Sequence, residues 1–300
     1  MDNQSASSHL NCLLRVIDAG KAALDAARPL PQYTAASLRE TLMLEWTYHS
    51  NAIEGNTLRL RETKVVLEGI TVGGKSVREH LEAMNHHDAI LYVEDAVSKG
   101  AALSEWQIRN IHGLVLKGIN EEAAHYRCKN VVIAGTSKTP PDFRHLPTEM
   151  AALIAWYETA GAMHPVERAA ELHARFVKIH PFVDGNGRTG RLLLNFEMMK
   201  DGYPPVIIRK EDRFAYYYAL DIACVSGDHS EITKLVAESL QRSLDTYLDL
   251  LGLRKGHEPA VGVGTGDRIE FTPNDATGRY EIVPATKSVE SLKGLVGKPA

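Results

Sequence analysis

Cysteine, net charge and long apolar runs are all scarce in this 300-residue chain. Its three cysteines, Cys12, Cys128 and Cys224, are odd in number, widely spaced and form no C-x-x-C pair. That excludes a disulfide framework and a thiolate zinc site, and fits a reducing compartment. A formal charge of -4 supplies no broad positive field for a polyanion, so nucleic acid is not an expected partner. Nowhere do eighteen apolar residues run together, and MDNQSASSHLNCLL lacks a basic stretch followed by an apolar one. No membrane association and a cytoplasmic location are therefore expected. What remains is a chain with 44% hydrophobic residues, enough for a large core.

Strand signals are few as well. Residues 8–28 and 34–53 are rich in Leu, Ala, Glu and Arg with apolar residues at helical spacing, and 61–68, 77–97 and SEWQIRNIHGLVLKGI repeat the pattern. Helix is expected again from 147 to 180, after Arg188, and from 212 to 250. The exception follows Tyr126, where CKNVVIAGTSKTPP combines β-branched residues, Gly135 and a closing Pro140-Pro141, the pattern of a short hairpin. Beyond about Arg254 the composition shifts to Gly, Pro, Thr and Lys, with strand-like stretches at RIEF and RYEIV. The fold class is mainly α with one short β-hairpin. Three regions are expected: an N-terminal helical region 1–100, a main domain 101–252 and a tail 253–300.

Two glycine loops stand out. GITVGGKS, residues 69–76, fits the phosphate-loop pattern, and GNGRTG, residues 185–190, fits the dinucleotide pattern. Either reading needs parallel strands alternating with helices, which this chain lacks. The bland alternative for 69–76 is a turn between two helices. For 180–191, HPFVDGNGRTGR, a helix, an anion-binding loop and a second helix make better chemical sense. Gly185 and Gly187 let backbone N–H groups approach phosphate oxygens, and the helix starting near Arg188 adds its N-terminal dipole. Asn186 can donate its amide to an oxygen, and Arg188 and Arg191, three apart on one face, can both reach a polyphosphate. Asp184 suits Mg2+ held together with phosphates, and His180 is placed to take a proton from an attacking hydroxyl. Alone, a histidine before proline is a surface residue and Asp-Gly-Asn-Gly a turn; seven such residues within twelve positions are more than a turn needs. A His173, His180 and Asp184 metal centre is the weaker alternative, since H-E-x-x-H is absent.

HPFVDGNGRTGR resembles the H-P-F-x-[DE]-G-N-G-R-x-x-R motif of the Fic family of protein adenylyltransferases, at every position. YRCKNVVIAGTSKTPP resembles that family's flap, which aligns an extended target segment, here along Val131, Val132, Ile133, Ala134 and Gly135. The resemblance implies a Fic-type helical bundle with the β-hairpin flap beside the active-site loop, and transfer of AMP from ATP, with Mg2+, to a Ser, Thr or Tyr hydroxyl of a target protein. It assigns His180 as general base, Asp184 to magnesium, Asn186 and the loop amides to the α-phosphate, and Arg188 and Arg191 to the phosphates. Gly187, where kinase-like members have Lys, favours transfer of AMP over phosphate. SNAIEGN, residues 50–56, resembles the family's inhibitory pattern [ST]-x-x-x-E-[GN]. Ser50 and Glu54 are four apart and share a helical face, and Gly55-Asn56 would end that helix. The resemblance pairs Glu54 with Arg191. A pair worth about 3 kcal/mol would leave only about one per cent of molecules competent.

The spacing from Tyr216-Tyr217 to Gly227-Asp228 is one residue longer than the family's usual pattern, so no nucleoside contact is carried over near Cys224. Two other functions stay open at this point: removal of AMP from a modified target through the same Glu54, and a binding module that senses ATP, against which His180 argues because binding needs no base. The target is unidentified and includes the chain itself; long amphipathic helices also offer surfaces for a homodimer.

Overall fold

The computed structural model describes residues 2–133, 139–254, 269–274 and 279–284. Two compact units result, Met1–Leu253 and Arg254–Ala300. Among the described residues, ten α-helices build the first: α1 (Asp2–Ala26), α2 (Gln32–Ile53), α3 (Leu60–Leu67), α4 (Val77–Ser98), α5 (Glu105–Val115), α6 (Leu146–Thr159), α7 (Pro165–Ile179), α8 (Asn186–Lys200), α9 (Arg213–Ser226) and α10 (Ser230–Leu250). Among the described residues, no helix is long and apolar enough to cross a membrane.

At the centre, α7 packs along α8, and α2, α4 and α5 also touch α8. From Arg188 to Met198 every α8 side chain is buried, as expected of a helix enclosed by neighbours on all sides. One apolar core gathers residues of α1, α7, α9 and α10 with Leu194 and Met198 of α8. A second gathers α2, α4, α5 and α6 with the other face of α7 and with Leu192, Leu193 and Phe196 of α8. The loop joining α7 to α8 is thereby fixed at both ends.

Local chemistry sets the helix ends. Ser76 and Glu79 form a capping box at the start of α4. At the end of α2, the Gly55 N–H bonds the Ala52 carbonyl at 3.1 Å and the Asn56 N–H bonds the Asn51 carbonyl at 3.1 Å. Gly55 adopts φ 99°, completing a Schellman ending that leaves Glu54 as the terminal residue. Two breaks were not expected. The run 147–180 divides at 160–164, where a short 3-10 turn leads into Pro165 at the start of α7, a position proline favours. The run 212–250 divides at Gly227, which takes φ 76°.

The β-hairpin expected after Tyr126 does not form: among its described residues, 126–133 and 139–141 contain no strand. Side-chain bonds replace the ladder. Arg127 donates to the Lys129 carbonyl at 2.9 Å and to the Pro141 carbonyl at 2.6 Å, and Asn130 bonds Asp142 at 3.0 Å and the Phe143 N–H at 2.9 Å. Pro140 and Pro141 have no N–H for pairing. Ala134 and Gly135 lie outside the described residues. GITVGGKS is a turn between α3 and α4, with Lys75 Nζ on the Thr57 carbonyl at 2.6 Å and its Oγ1 at 2.9 Å, so the phosphate-loop reading is set aside. In the second unit, β1 (Ile269–Asn274) pairs antiparallel with β2 (Arg279–Pro284), Ile269 facing Pro284.

Candidate active site

The α7–α8 loop is held from within. His180 ends α7 in the left-handed region, φ 49° and ψ 59°, a conformation rare for residues with a Cβ and a sign of a tightly determined position. Asn186 donates to the Phe182 carbonyl at 2.8 Å and accepts the Phe182 N–H at 3.0 Å, bracing the loop across its width. Phe182 stacks on His112 with centroids 3.6 Å apart and planes 4° from parallel. His112 Nδ1 accepts the Ala124 N–H at 2.9 Å, so its Nε2 carries the proton and donates to the Asp184 carbonyl at 2.9 Å. Gly185 takes φ 76° against this wall, where a Cβ would stand 3.3 Å from Leu116 Cγ. The first turn of α8 begins here with its N–H groups unshared within the helix.

Burial, reinforced by Arg127, pushes the His180 pKa down to about 4, so the imidazole is neutral near pH 7 and able to accept a proton. Burial alone would raise the Asp184 pKa, but Arg188, the Gly185 N–H at 2.6 Å and Arg78 outweigh it and hold the carboxyl low. Arg188 is buried, its Nη1 3.3 Å from Glu82 Oε1 and its Nη2 3.5 Å from Asp184 Oδ1, while Nε and Nη1 have no hydrogen-bond partner among the described residues. The Nε N–H, without a partner in this buried setting, is a place for an anion, while Nη1 stays within ion-pair range of Glu82. Arg191 is 3% exposed and fully engaged: Nε on Ser50 Oγ at 3.0 Å, Nη1 on the Tyr216 hydroxyl at 3.3 Å, and Nη2 on the Ser50 carbonyl at 2.8 Å. A cavity of about 350 Å³ opens beside these groups, lined by His180, Gly187, Glu54, Tyr217, Leu220 and Cys224 among others, with Ile133 and Pro140 from the segment after α5. That size suits a nucleotide-scale ligand.

Glu54, the residue that caps the C-terminus of α2, projects onto α8. Its Oε1 accepts from Arg191 Nη2 at 2.8 Å, and its side chain is 32% exposed. Gly187 leaves the room for this approach, since a Cβ at 187 would lie 2.2 Å from Glu54 Oε1. The end of α2 is seated from several sides. The Tyr217 hydroxyl donates to the Ile53 carbonyl at 3.3 Å, His49 Nδ1 accepts the Lys210 N–H at 3.2 Å, and Asn51 donates to the Glu82 carbonyl at 3.3 Å.

His180, Gly187 and Glu54 thus line one cavity, Arg191 and Ser50 join them through the Arg191–Glu54 and Arg191–Ser50 bonds, and Asp184 and Arg188 pair across the start of α8. Asn186 faces inward to Phe182 and is only 2% exposed. Of the flap residues, Ile133 lines the cavity, Val132 is 89% exposed and Val131 is half-buried. The His173–His180–Asp184 metal centre is not formed: His173 is fully buried with Nε2 2.8 Å from the Tyr216 hydroxyl, and no cluster of three His, Cys, Asp or Glu side chains occurs among the described residues. Sequence reasoning missed Arg127, whose Nε donates to the His180 carbonyl at 2.9 Å and whose N–H bonds the Pro181 carbonyl at 2.9 Å. It also missed His112 and the His173–Tyr216–Arg191 relay, for which a single sequence holds no local signal.

Comparison with known proteins identifies the family. Residues 102–198 match the Fic/DOC family. A protein adenylyltransferase Fic from Nematostella vectensis is 40% identical over 206 residues, 67% of this chain and 48% of the relative. One from Drosophila willistoni is 36% identical over 239 residues, 78% of this chain and 47% of the relative. The chain spans about half the length of these curated relatives. Solved Fic-1 from C. elegans superposes with a TM-score of 0.72 at 33% identity, covering 82% of this chain and 74% of that one. A Fic domain containing signaling protein from Bacteroides thetaiotaomicron gives 0.73 at 28% identity, covering 80% and 99%. With the complete loop motif built between α7 and α8 and a solved relative matched over most of both chains, the chain belongs to the Fic/DOC family.

Proposed function

We propose that this protein transfers AMP from ATP to a hydroxyl of a target protein, and that α2 inhibits it from within the same chain. The observation that carries the reading is a neutral, buried His180 lining the same cavity as Gly187 of the α8 N-terminus and as Glu54, the residue that holds Arg191. His180 removes the proton as the target oxygen attacks the α-phosphorus. The bond from that phosphorus to the β-phosphate oxygen breaks, and pyrophosphate leaves. The N–H groups of the first α8 turn stabilise charge on the α-phosphate, and Arg188 and Arg191 take that of the leaving phosphates. The donor set fits magnesium delivered with a polyphosphate: one partly exposed carboxylate, Asp184, and no protein cage among the described residues. Bound magnesium would neutralise phosphate charge beside Asp184.

Inhibition follows from the Arg191 contacts. While Glu54 occupies Nη2, Arg191 cannot serve the γ-phosphate, and ATP is left in a pose unsuited to transfer. The subclass with an inhibitory helix N-terminal to the catalytic loop is supported by Ser50 and Glu54 both reaching Arg191 from the last turns of α2. Ile133 at the cavity, with the neighbouring Val132 exposed, supports docking of a target segment there, with the chain itself as one candidate target. The test is label position. Glu54→Gly protein incubated with a lysate and ATP labelled at the α- or the γ-phosphate should transfer only the α label, and the further change His180→Ala should abolish transfer. Transfer of the γ label would replace this reading with a kinase.

One observation favours the reverse reaction as a second activity. Glu54 lines the cavity with His180, and its Oε2 has no protein partner among the described residues, leaving that oxygen to orient a water at an AMP–protein bond. Wild-type protein that strips AMP from a pre-labelled lysate, where Glu54→Gln does not, would establish it.

A further inference from the structure

We infer that Arg78 stands in for the divalent cation at Asp184 and so sets how much magnesium the site demands. This rests on the reading of Asp184 as the metal carboxylate. The two oxygens of Asp184 are used differently. Oδ1 turns to the loop, accepting the Gly185 N–H at 2.6 Å with Arg188 Nη2 3.5 Å away. Oδ2 accepts from Arg78 Nη2 at 2.8 Å, across 106 residues of sequence. Arg78 belongs to the first turn of α4, and its Nε donates to Glu82 Oε1 at 3.0 Å, one helical turn on.

Glu82 is a firm post for that guanidinium. Its side chain is 12% exposed, its Oε2 accepts from Asn56 at 3.0 Å, and its Oε1 lies 3.3 Å from Arg188. Asn51 of α2 bonds its carbonyl at 3.3 Å. Arg78 is therefore aimed at Asp184 by a residue that is itself fixed to the end of α2. With Oδ1 committed to the loop, Oδ2 is the oxygen left for a metal, and magnesium binds carboxylate oxygen at about 2 Å. A second cation sharing that oxygen with the guanidinium would be repelled at such short range. Arg78 must swing away as metal enters. Arg78 is 59% exposed, so its hold is that of a surface ion pair, and its removal should lower the magnesium requirement by about two- to fivefold.

The readout is nucleotide binding rather than turnover. A fluorescent, non-cleavable α,β-methylene analogue of ATP is titrated by anisotropy at increasing magnesium and in EDTA, in the Glu54→Gly chain and with Arg78→Gln, Arg78→Lys or Asp184→Asn added. The expected result is half-saturating magnesium lowered about two- to fivefold by Arg78→Gln, restored toward the parent value by Arg78→Lys, with analogue affinity in EDTA unchanged. An unchanged magnesium midpoint in Arg78→Gln, while Asp184→Asn abolishes the magnesium response, overturns the role of Arg78 alone. Weaker analogue binding by Arg78→Gln in EDTA overturns it in favour of Arg78 as a phosphate ligand. A magnesium response that survives Asp184→Asn overturns the assignment of Asp184 and the inference with it.

Discussion

The collision built into Gly187 gives the sharpest mutational test. In Gly187→Ala the new Cβ would stand 2.2 Å from Glu54 Oε1, whereas carbon and oxygen in contact need about 3.2 Å. The other close neighbour, Arg191 Nη1 at 3.2 Å, needs little adjustment. Glu54 is the free end of a flexible side chain and is the group that yields, by about 1 Å. Its 2.8 Å bond to Arg191 would stretch to roughly 3.8 Å, beyond hydrogen-bond range. A hydrogen bond to a charged group contributes about 1.5–3 kcal/mol, and the partial exposure of Glu54 argues for the lower end. About 1.5 kcal/mol corresponds to roughly a tenfold gain in the competent population. The same Cβ also crowds the α8 backbone proposed to face the phosphates, so the two effects must be separated. A double-mutant cycle with Glu54→Gly does this, using initial rates of AMP incorporation from α-labelled ATP. In the Glu54→Gly background Gly187→Ala only slows transfer; in the wild-type background it does about tenfold better than that factor. Equal factors in both backgrounds would refute the geometry.

Other outcomes follow from the same contacts. Tyr216→Phe removes a buried hydroxyl that is hydrogen-bonded to His173 Nε2 and accepts from Arg191, and should cost about 1–2 kcal/mol of stability in urea unfolding; an unchanged midpoint would contradict the relay. Gly190→Ala would place a Cβ 2.7 Å from His173 Nδ1 at the α7–α8 contact, an overpacking expected to destabilise by about 1–3 kcal/mol in the same assay. Burial lowers the pKa of His49, His112 and His180 to about 4, of His173 to about 3, and of His86 well below 6.5. Between pH 6.5 and 4 the unfolded chain therefore takes up protons that the folded chain refuses, so stability is full above about pH 7 and falls through this window. Melting temperatures flat from pH 7 to 4.5 would show these histidines to be less buried than described.

How much of this was legible depended on sequence distance. The helix end at Glu54-Gly55 and the loop from His180 to Gly187 are short, and each is written by adjacent residues of special conformational preference. The breaks before Pro165 and at Gly227 were missed because the apolar pattern runs through them, although the proline and glycine were visible. The hairpin expectation failed because β-branched Val131, Val132 and Ile133 signal strand preference, while Arg127 and Asn130 satisfy the neighbouring backbone by side-chain bonds that propensity does not register. Contacts that span the chain had no local signature: Ser50 and Glu54 reach Arg191 across 141 and 137 residues, and only the family resemblance linked them. Arg78 on Asp184 and Arg127 on His180 lay outside even that resemblance.

The central claim is that His180 drives AMP transfer and that Glu54 restrains it. The most direct measurement is intact-protein mass spectrometry, with mapping of the modified residue, on wild type, Glu54→Gly and Glu54→Gly/His180→Ala after incubation with ATP and magnesium, alone and with a candidate target. The account predicts the mass of one AMP per site on a hydroxyl side chain in Glu54→Gly, a trace in wild type and none in the double variant. Equal modification of wild type and Glu54→Gly, or modification that persists without His180, would contradict it.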